Sequence, residues 1–245
     1  MDILVTGGTG RLGRHVVPAL RDRGHAPRVL SRRPGEGHVV GDLDTGAGIA
    51  AAVAGVDTVV HLASTARNDA RQTRVLLDAL EGSRAHLLYV SIVGVDRVPL
   101  GYYRSKLAAE RAIAASGVPH TIIRVTQFHD FVVSMFLAPQ RHLPVTCVIP
   151  GTAQPIDLRD VAPRIVELVE AGPSGRVDDL AGPEIRTLAE FAAEWQRSLG
   201  KRRPIWTLRL PIGFVKGAAA GGLTTGRPGA GRITFAEFLA AEAER

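Results

Sequence analysis

The chain has 245 residues, 45% hydrophobic and 22% charged, enough to bury a full core as one large domain or a domain with a small appendage. Its lone cysteine, Cys147, excludes a disulfide framework, and eight scattered histidines without paired carboxylates give no metal-ligand spacing, so no metal is expected. The net charge of +6 invites a nucleic-acid reading, but 27 of the 30 cations are arginines spread among 24 acids with few aromatics for stacking, so a solvated surface and no nucleic-acid partner are expected.

Strands and helices alternate through the first two thirds of the sequence. Strands are expected at 2–6 (DILVT), 27–31 (PRVLS), 38–41 (HVVG), 57–62 (DTVVHL), 86–91 (HLLYVS) and 120–125 (HTIIRV). Most are continuous β-branched runs, as in a parallel sheet covered on both faces. Helices are expected near 11–23, 46–54, 68–81 and 102–115, with Gly24, Gly55, Gly82 and Gly117 at their C-terminal ends and Pro18 kinking the first. The expected fold is α/β, a Rossmann-type doubly wound parallel sheet over residues 1–140. A smaller, mostly helical substrate-side region, 141–245, adds a strand near 154–158 to the sheet.

In that second region, Thr187 with Glu190 and Thr234 with Glu237 form capping boxes. They start helices with apolar stripes: Leu188, Phe191, Ala192 and Trp195, then Phe235, Phe238 and Leu239. Trp195, Trp206 and Phe214 either close the cleft or form core, core being the expectation, and the glycine-rich stretch 217–231 reads as a mobile connection with room for a short helix at its start. The apolar stretch FVVSMFLA (131–138) is too short to span a bilayer, and no signal-peptide pattern precedes the first strand. A cytoplasmic protein without a membrane partner, monomer or homodimer, is therefore expected.

The segment VTGGTGRLGRHVV (5–17) carries the chemistry. Its glycines follow a strand and precede a helix, the context in which such a pattern has a mechanism. Gly7 permits the tight turn, Gly10 leaves room for a pyrophosphate to approach the backbone, and Gly13 lets helix and sheet pack closely. The helix N-terminus offers amides and the positive end of its dipole to the anion, and no P-loop lysine follows, so a dinucleotide is favoured over a nucleoside triphosphate. Thr9, Arg11 and Leu12 complete the loop. At the end of the second strand, Ser31, Arg32 and Arg33 stand where an acid would accept the ribose hydroxyls of NAD, and guanidinium groups there suit a 2′-phosphate, so NADP(H) is preferred over NAD(H). Tyr102 and Lys106 lie four apart on one helix face with Ser91 at the tip of the preceding strand; Tyr103 could also meet Lys106. An ammonium about 5 Å from the phenol would contribute about 3 kcal/mol at an effective dielectric near 20, lowering its pKa by roughly two units.

The spacing G-x-x-G-x-x-G resembles the short-chain dehydrogenase/reductase superfamily. The stretches VLSRRP (29–34), GDL (41–43), VVHLAS (59–64), YVSIVGVD (89–96), YYRSKLAAE (102–110), VTQFHDFV (125–132), IDLRDVA (156–162) and AGPEIRTLAEF (181–191) sharpen the likeness toward its atypical, NmrA-like NAD(P)H-binding branch. This resemblance implies that Asp42 and Leu43 hold the adenine edge and that Leu62, Ala63 and Ser64 run along the adenosine ribose. It gives Ser91, Tyr102 and Lys106 the family's Ser, Tyr-x-x-x-Lys roles: Tyr102 as proton donor, Ser91 bonding the same substrate oxygen, and Lys106 gripping the nicotinamide ribose. Gln127, Phe128 and His129 are implied to line the substrate pocket, while His61 is read as structural. The leading expectation is an NADPH-dependent reductase of a small carbonyl, quinone or related unsaturated substrate. The alternatives are a non-catalytic NmrA-like sensor of NADP(H) acting on a protein partner, and a sugar epimerase or dehydratase with retained cofactor.

Overall fold

The computed structural model describes residues 1–65 and 68–244. The elements in chain order are β1 (Asp2–Thr6), α1 (Gly13–Asp22), β2 (Ala26–Ser31), β3 (His38–Val40), α2 (Ile49–Val53), β4 (Thr58–His61), α3 (Asp69–Ala79), β5 (His86–Ile92), α4 (Gly101–Ala115) and β6 (His120–Val125). They continue with α5 (His129–Val132), β7 (Thr146–Val148), β8 (Thr152–Ala153), α6 (Leu158–Ala171), β9 (Gly175–Arg176), β10 (Arg186–Thr187), α7 (Leu188–Ser198), β11 (Ile205–Thr207), α8 (Gly213–Ala219) and α9 (Phe235–Ala243). The first six strands fall within one residue of their apolar runs. Gly24, Gly55, Gly82 and Gly117 all take φ between 71° and 78°, the conformation a helix end needs. Helix α1 runs through Pro18 from Gly13 to Asp22.

Packing divides the chain into two units that alternate along the sequence. The first comprises Met1–Ser91, Gly101–Arg124 and Val161–Asp178; the second comprises Ile92–Leu100, Val125–Asp160 and Asp179–Arg245. A single boundary at 140 therefore does not describe the chain, because α6 and β9 return to the first unit.

The first unit is built on a seven-stranded parallel sheet of order β3-β2-β1-β4-β5-β6-β9, the Rossmann order with one strand appended. Helices cover both faces, which is why β4 and β5 are buried along almost their whole length. Leu4, Val59, Leu76, Leu87, Tyr89 and Ile113 are fully buried in the core between sheet and helices. One polar network crosses it. Thr6 Oγ1 accepts from the Ala63 amide (3.2 Å) and donates to His61 Nδ1 (2.7 Å), leaving His61 Nε2–H for Thr73 Oγ1 (3.2 Å). His61 is thus structural, fastening β4 to β1 and α3.

The second unit has its own core, in which Phe191, Trp195, Phe235 and Phe238 pack with Val132, Leu137 and Val148. Both capping boxes form, and the apolar stripes of α7 and α9 face inward as their spacing predicts. Three expectations need correction. No sheet strand forms at 154–158: Ile156 makes one isolated bridge to Phe128, because Pro155 has no amide to extend the ladder. The seventh strand is β9 instead. Segment 217–231 is anchored rather than a free connection: the buried Gln154 side chain donates to Arg227 O (2.8 Å) and Gly182 O (2.9 Å) and accepts from Thr225 N (3.0 Å). Trp206 is 58% exposed and belongs to no core, whereas Trp195 is buried. Among the described residues no helix is long and apolar enough to cross a membrane, and no cluster of three His, Cys, Asp or Glu could hold a metal.

Burial, with a smaller contribution from Lys106, lowers the His61 pKa from 6.5 to about 3, and burial lowers that of His86 to about 4. Both stay neutral in the folded chain at pH values where the unfolded chain binds protons. The stability they allow is complete above about pH 6.5 and is lost as pH falls toward their folded values, at up to about 1.4 kcal/mol per pH unit for each. Urea unfolding should accordingly show a loss of at least about 1 kcal/mol between pH 7 and pH 5.5. An unfolding midpoint that holds steady or rises on acidification contradicts this account.

Candidate active site

The turn from β1 into α1 is pressed against the end of β4. Gly7 takes φ +70°, and a Cβ there would lie 2.6 Å from Ala63 N; a Cβ on Gly13 would lie 2.4 Å from Gly7 O. Neither contact can be relieved by rotating a side chain, because both partners are main chain. Gly10 differs: it is exposed, its amide donates to Gly7 O (2.9 Å), and its φ is not positive. What a side chain at Gly10 would obstruct is the outer surface of the loop. The loop is held to its helix by Arg14, which donates to Thr9 O (3.1 Å). Leu12 is buried beneath it, and Arg11 is exposed. With no acid in the first turn of α1, the helix N-terminus is an electropositive cradle for an anion.

The other expected cofactor residues are found at the ends of β2, β3 and β4. Ser31 Oγ accepts from the Arg33 amide (3.1 Å), turning the chain so that the Arg32 and Arg33 side chains stand in solvent. Asp42 is half-buried and its carboxylate accepts from the Asp44 amide (2.8 Å). The Leu43 side chain is committed to the hydrophobic core, so any adenine contact there falls to its backbone. Leu62 and Ala63 follow β4 directly, the Leu62 amide bonding Thr6 O. A glycine loop whose main chain forbids Cβ atoms, an exposed Gly10 and two free-standing arginines fit a dinucleotide with an additional phosphate.

Tyr102 and Lys106 share one face of α4, as their spacing predicts, but their partners differ from those expected. The Tyr102 hydroxyl lies 2.7 Å from Ser64 Oγ, and Ser64 in turn donates to Asp69 Oδ2 (2.9 Å). Because the single Ser64 proton goes to the carboxylate, the phenol must donate to Ser64. Lys106 is buried; its ammonium donates to Val90 O (3.0 Å), lies 3.5 Å from Asp69 Oδ2 and stands 4.6 Å from the centre of the Tyr89 ring. Asp69 is buried too, and also accepts from Thr65 N (2.6 Å). The arrangement is therefore a chain, Tyr102 to Ser64 to Asp69 to Lys106.

This geometry changes three expectations. Ser64, expected along the adenosine ribose, is the hydrogen-bond partner of Tyr102. Ser91, expected to bond the substrate oxygen, has its hydroxyl buried and without a partner among the described residues. The Tyr102 phenol is not lowered but pushed up to about 12, chiefly by burial and further by the Asp69 carboxylate, with the Ser64 hydrogen bond opposing. Lys106 cannot act as an isolated positive charge beside a carboxylate of opposite sign. Burial pulls its own pKa down while Asp69 raises it, and its ammonium points inward to Val90 O. Asp69 escaped the sequence reading because an acid in the first turn of a helix is ordinarily explained by the helix dipole.

In the second unit, His129 proves to be a core residue. It is 1% exposed, donates from Nε2 to Ile233 O (3.0 Å) and has the Phe235 and Phe238 rings each centred 5.4 Å away. Its pKa is lowered by burial, and it has no free face for a substrate. Phe128 is half-buried in the bridge to Ile156. Gln127 retains an unmet capacity: both polar atoms of its amide are buried without a partner among the described residues, a costly state that a small polar ligand could relieve.

Comparison with known proteins gives a family. Residues 7–170 match the family described as NAD(P)H-binding. The chain is 32% identical over 219 residues to (4-alkanoyl-5-oxo-2,5-dihydrofuran-3-yl)methyl phosphate reductase from Streptomyces griseus subsp. griseus, covering 81% of this chain and 74% of that protein. It is 27% identical to Quinone oxidoreductase 2 of Escherichia coli over 82% of this chain and 75% of that one. Among solved structures, an NADPH-dependent quinone oxidoreductase from Escherichia coli complexed with NADPH superposes with a TM-score of 0.83 at 24% identity, covering 98% of this chain and 99% of the other.

Removing the Asp69 carboxylate should leave a buried cation without its partner. Asp69→Ala is expected to lower unfolding stability by about 3 kcal/mol, and Asp69→Asn by less; a loss below about 0.5 kcal/mol for the alanine variant contradicts the pairing. The raised Tyr102 pKa is checked by ultraviolet titration of tyrosinate. The native chain and Tyr102→Phe should give superimposable curves up to about pH 11, and a difference appearing near pH 8 to 10 contradicts the assignment.

Proposed function

The chain belongs to the NAD(P)H-binding branch of the atypical, NmrA-like short-chain dehydrogenase/reductases, and from that premise we propose that it is an NADPH-dependent reductase of a small carbonyl, quinone or related unsaturated compound. The reading rests on one observation above others: Tyr102 holds its proton in a hydrogen bond to Ser64, whose own proton is held by a buried carboxylate.

When bound, a reduced nicotinamide supplies hydride. The residues of this chain do the remainder. The amides at the start of α1 and the bare surface at Gly10 bind the pyrophosphate, while Arg32 and Arg33 grip a 2′-phosphate by charge-assisted hydrogen bonds. Tyr102 gives its proton to the substrate oxygen that gains negative charge. A pKa near 12 keeps the phenol protonated throughout the physiological range, so the donor is always loaded, at the cost of being a weaker acid. Once the phenol oxygen carries charge, rotation of the Ser64 hydroxyl from Asp69 toward Tyr102 stabilises it. The Lys106 cation offsets the negative charge of Asp69 in the same buried cluster.

The purified chain mixed with NADPH and a panel of quinones and aldehydes should consume cofactor, and Tyr102→Phe should reduce that rate by roughly 10²-fold or more. Binding of NADPH without turnover of any panel member favours the sensor over the reductase. Replacing both arginines, Arg32→Ala with Arg33→Ala, should weaken NADPH about tenfold and leave NADH within about twofold. An equal effect on the two cofactors would remove the argument for NADP(H).

A further inference from the structure

The charges of this chain are less evenly mixed than its composition suggests. From 195 to 236 there are eight lysines and arginines and no aspartate or glutamate; with +6 overall and +8 here, the remainder of the chain is near −2. This basic stretch lies wholly in the second unit. Within it β11 pairs, among the described residues, with β7 alone; past its end Leu208 N still donates to Val148 O (2.8 Å), and the chain bends at Ile212, the residue that leads into α8.

Along this run every second residue is large and apolar, and none is covered. Trp206 is 58% exposed, Leu208 40%, Leu210 47% and Ile212 51%. The alternation from Trp206 to Leu208 is that of one side of a strand, and Leu210 and Ile212 continue the exposed apolar series up to the start of α8. Exposed cations flank them at Arg202, Arg209 and Lys216. Arg209 and Lys216 share with Pro150, Leu210, Pro211 and Val215 the wall of an open groove of about 410 Å³. Arg203 plays a different part: it donates to Gln140 O (2.9 Å) and its guanidinium lies 5.9 Å from the Trp195 ring centre, fixing the start of the run to the core.

Single exposed apolar residues are ordinary, but four in sequence beside three cations call for a partner. A second copy in a two-fold contact would bring this basic strip against itself. A nucleic acid would use the cations but has no use for Leu208, Leu210 and Ile212, which cannot stack on bases. A bilayer with anionic headgroups uses both: cations at the phosphates, the indole at the interface and the aliphatic side chains among the upper acyl carbons. We propose that residues 202–216 form a docking surface for membranes carrying anionic phospholipid. The sequence-based expectation of no membrane partner rested on the lack of a spanning segment, which does not bear on adsorption to a surface.

Sedimentation of the full chain with vesicles tests this independently of any turnover. Binding is expected to vesicles of phosphatidylcholine with about one third phosphatidylserine and not to pure phosphatidylcholine, and to weaken as salt is raised. Emission should shift to the blue on binding and not do so in Trp206→Phe, since the other tryptophan, Trp195, is buried. Reversing Arg202, Arg209 and Lys216 to glutamate should reduce binding at least about tenfold, and Leu208→Ser with Leu210→Ser should weaken it at unchanged charge. All five side chains are exposed, and unaltered melting temperatures would verify that the fold is intact. Binding indifferent to phosphatidylserine overturns the proposal. So does a serine pair that binds as well as the native chain, the result expected of a polyanion site, or a concentration-dependent dimer dissolved by Trp206→Ser without vesicle binding.

Discussion

The site is organised by a main-chain approach with no room for a side chain. Where β1 turns into α1, the backbone of Gly7 lies against that of Leu62 and Ala63, and Gly13 lies against Gly7 and Gly8. Any residue with a Cβ would force these segments apart, since the opposing atoms are backbone and cannot rotate away. The contact locates the loop and, through it, the residues that leave β4. Ser64 follows Ala63 directly, so the position of the hydroxyl that accepts the Tyr102 hydrogen bond is inherited from packing that also shapes the glycine loop. The Thr6 hydroxyl, bonded to both His61 and the Ala63 amide, fastens the same junction from inside the sheet.

A second constraint is the buried cation. At 3.5 Å and an effective dielectric near 20, Lys106 and Asp69 attract by about 5 kcal/mol, comparable with what burial of the two charges costs. The pair contributes little net stability, yet neither member can be removed alone. Its electrostatic consequence reaches Tyr102. Burial dominates there, the Asp69 carboxylate adds to it, and the phenol retains its proton.

Much of this was legible in the sequence. The strands announced themselves as β-branched runs bounded by turns, and the glycine loop by its place between strand and helix. The capping boxes marked α7 and α9 through a purely local exchange of hydrogen bonds. What failed were pairings set by tertiary packing. Ser64 and Tyr102 are 38 residues apart, with no spacing to announce them, whereas Ser91 stands at the end of β5 as its sequence position implies, but with its hydroxyl buried and without a partner among the described residues. His129 followed a strand end, where ligands are often held, but the distant Phe235 and Phe238 enclosed it. Glycines misled at 217–231, where they permit close packing rather than motion. Trp206 reads as core because its ring carries a large apolar area, whereas the fold places it on an uncovered strand.

The central claim is that the outer surface of the glycine loop is kept bare for a pyrophosphate. Gly10 isolates it best, because its φ is not positive and a Cβ there would approach only Gly7 O, at 3.1 Å, a contact that a shift of a few tenths of an ångström relieves, unlike those at Gly7 and Gly13. Calorimetric titration of NADPH into the native chain and into Gly10→Val is the direct measurement. The account predicts binding to the native chain and a loss of about hundredfold or more in a variant that still unfolds cooperatively. A native chain that gives no heat, or a valine variant that binds equally well, would contradict it.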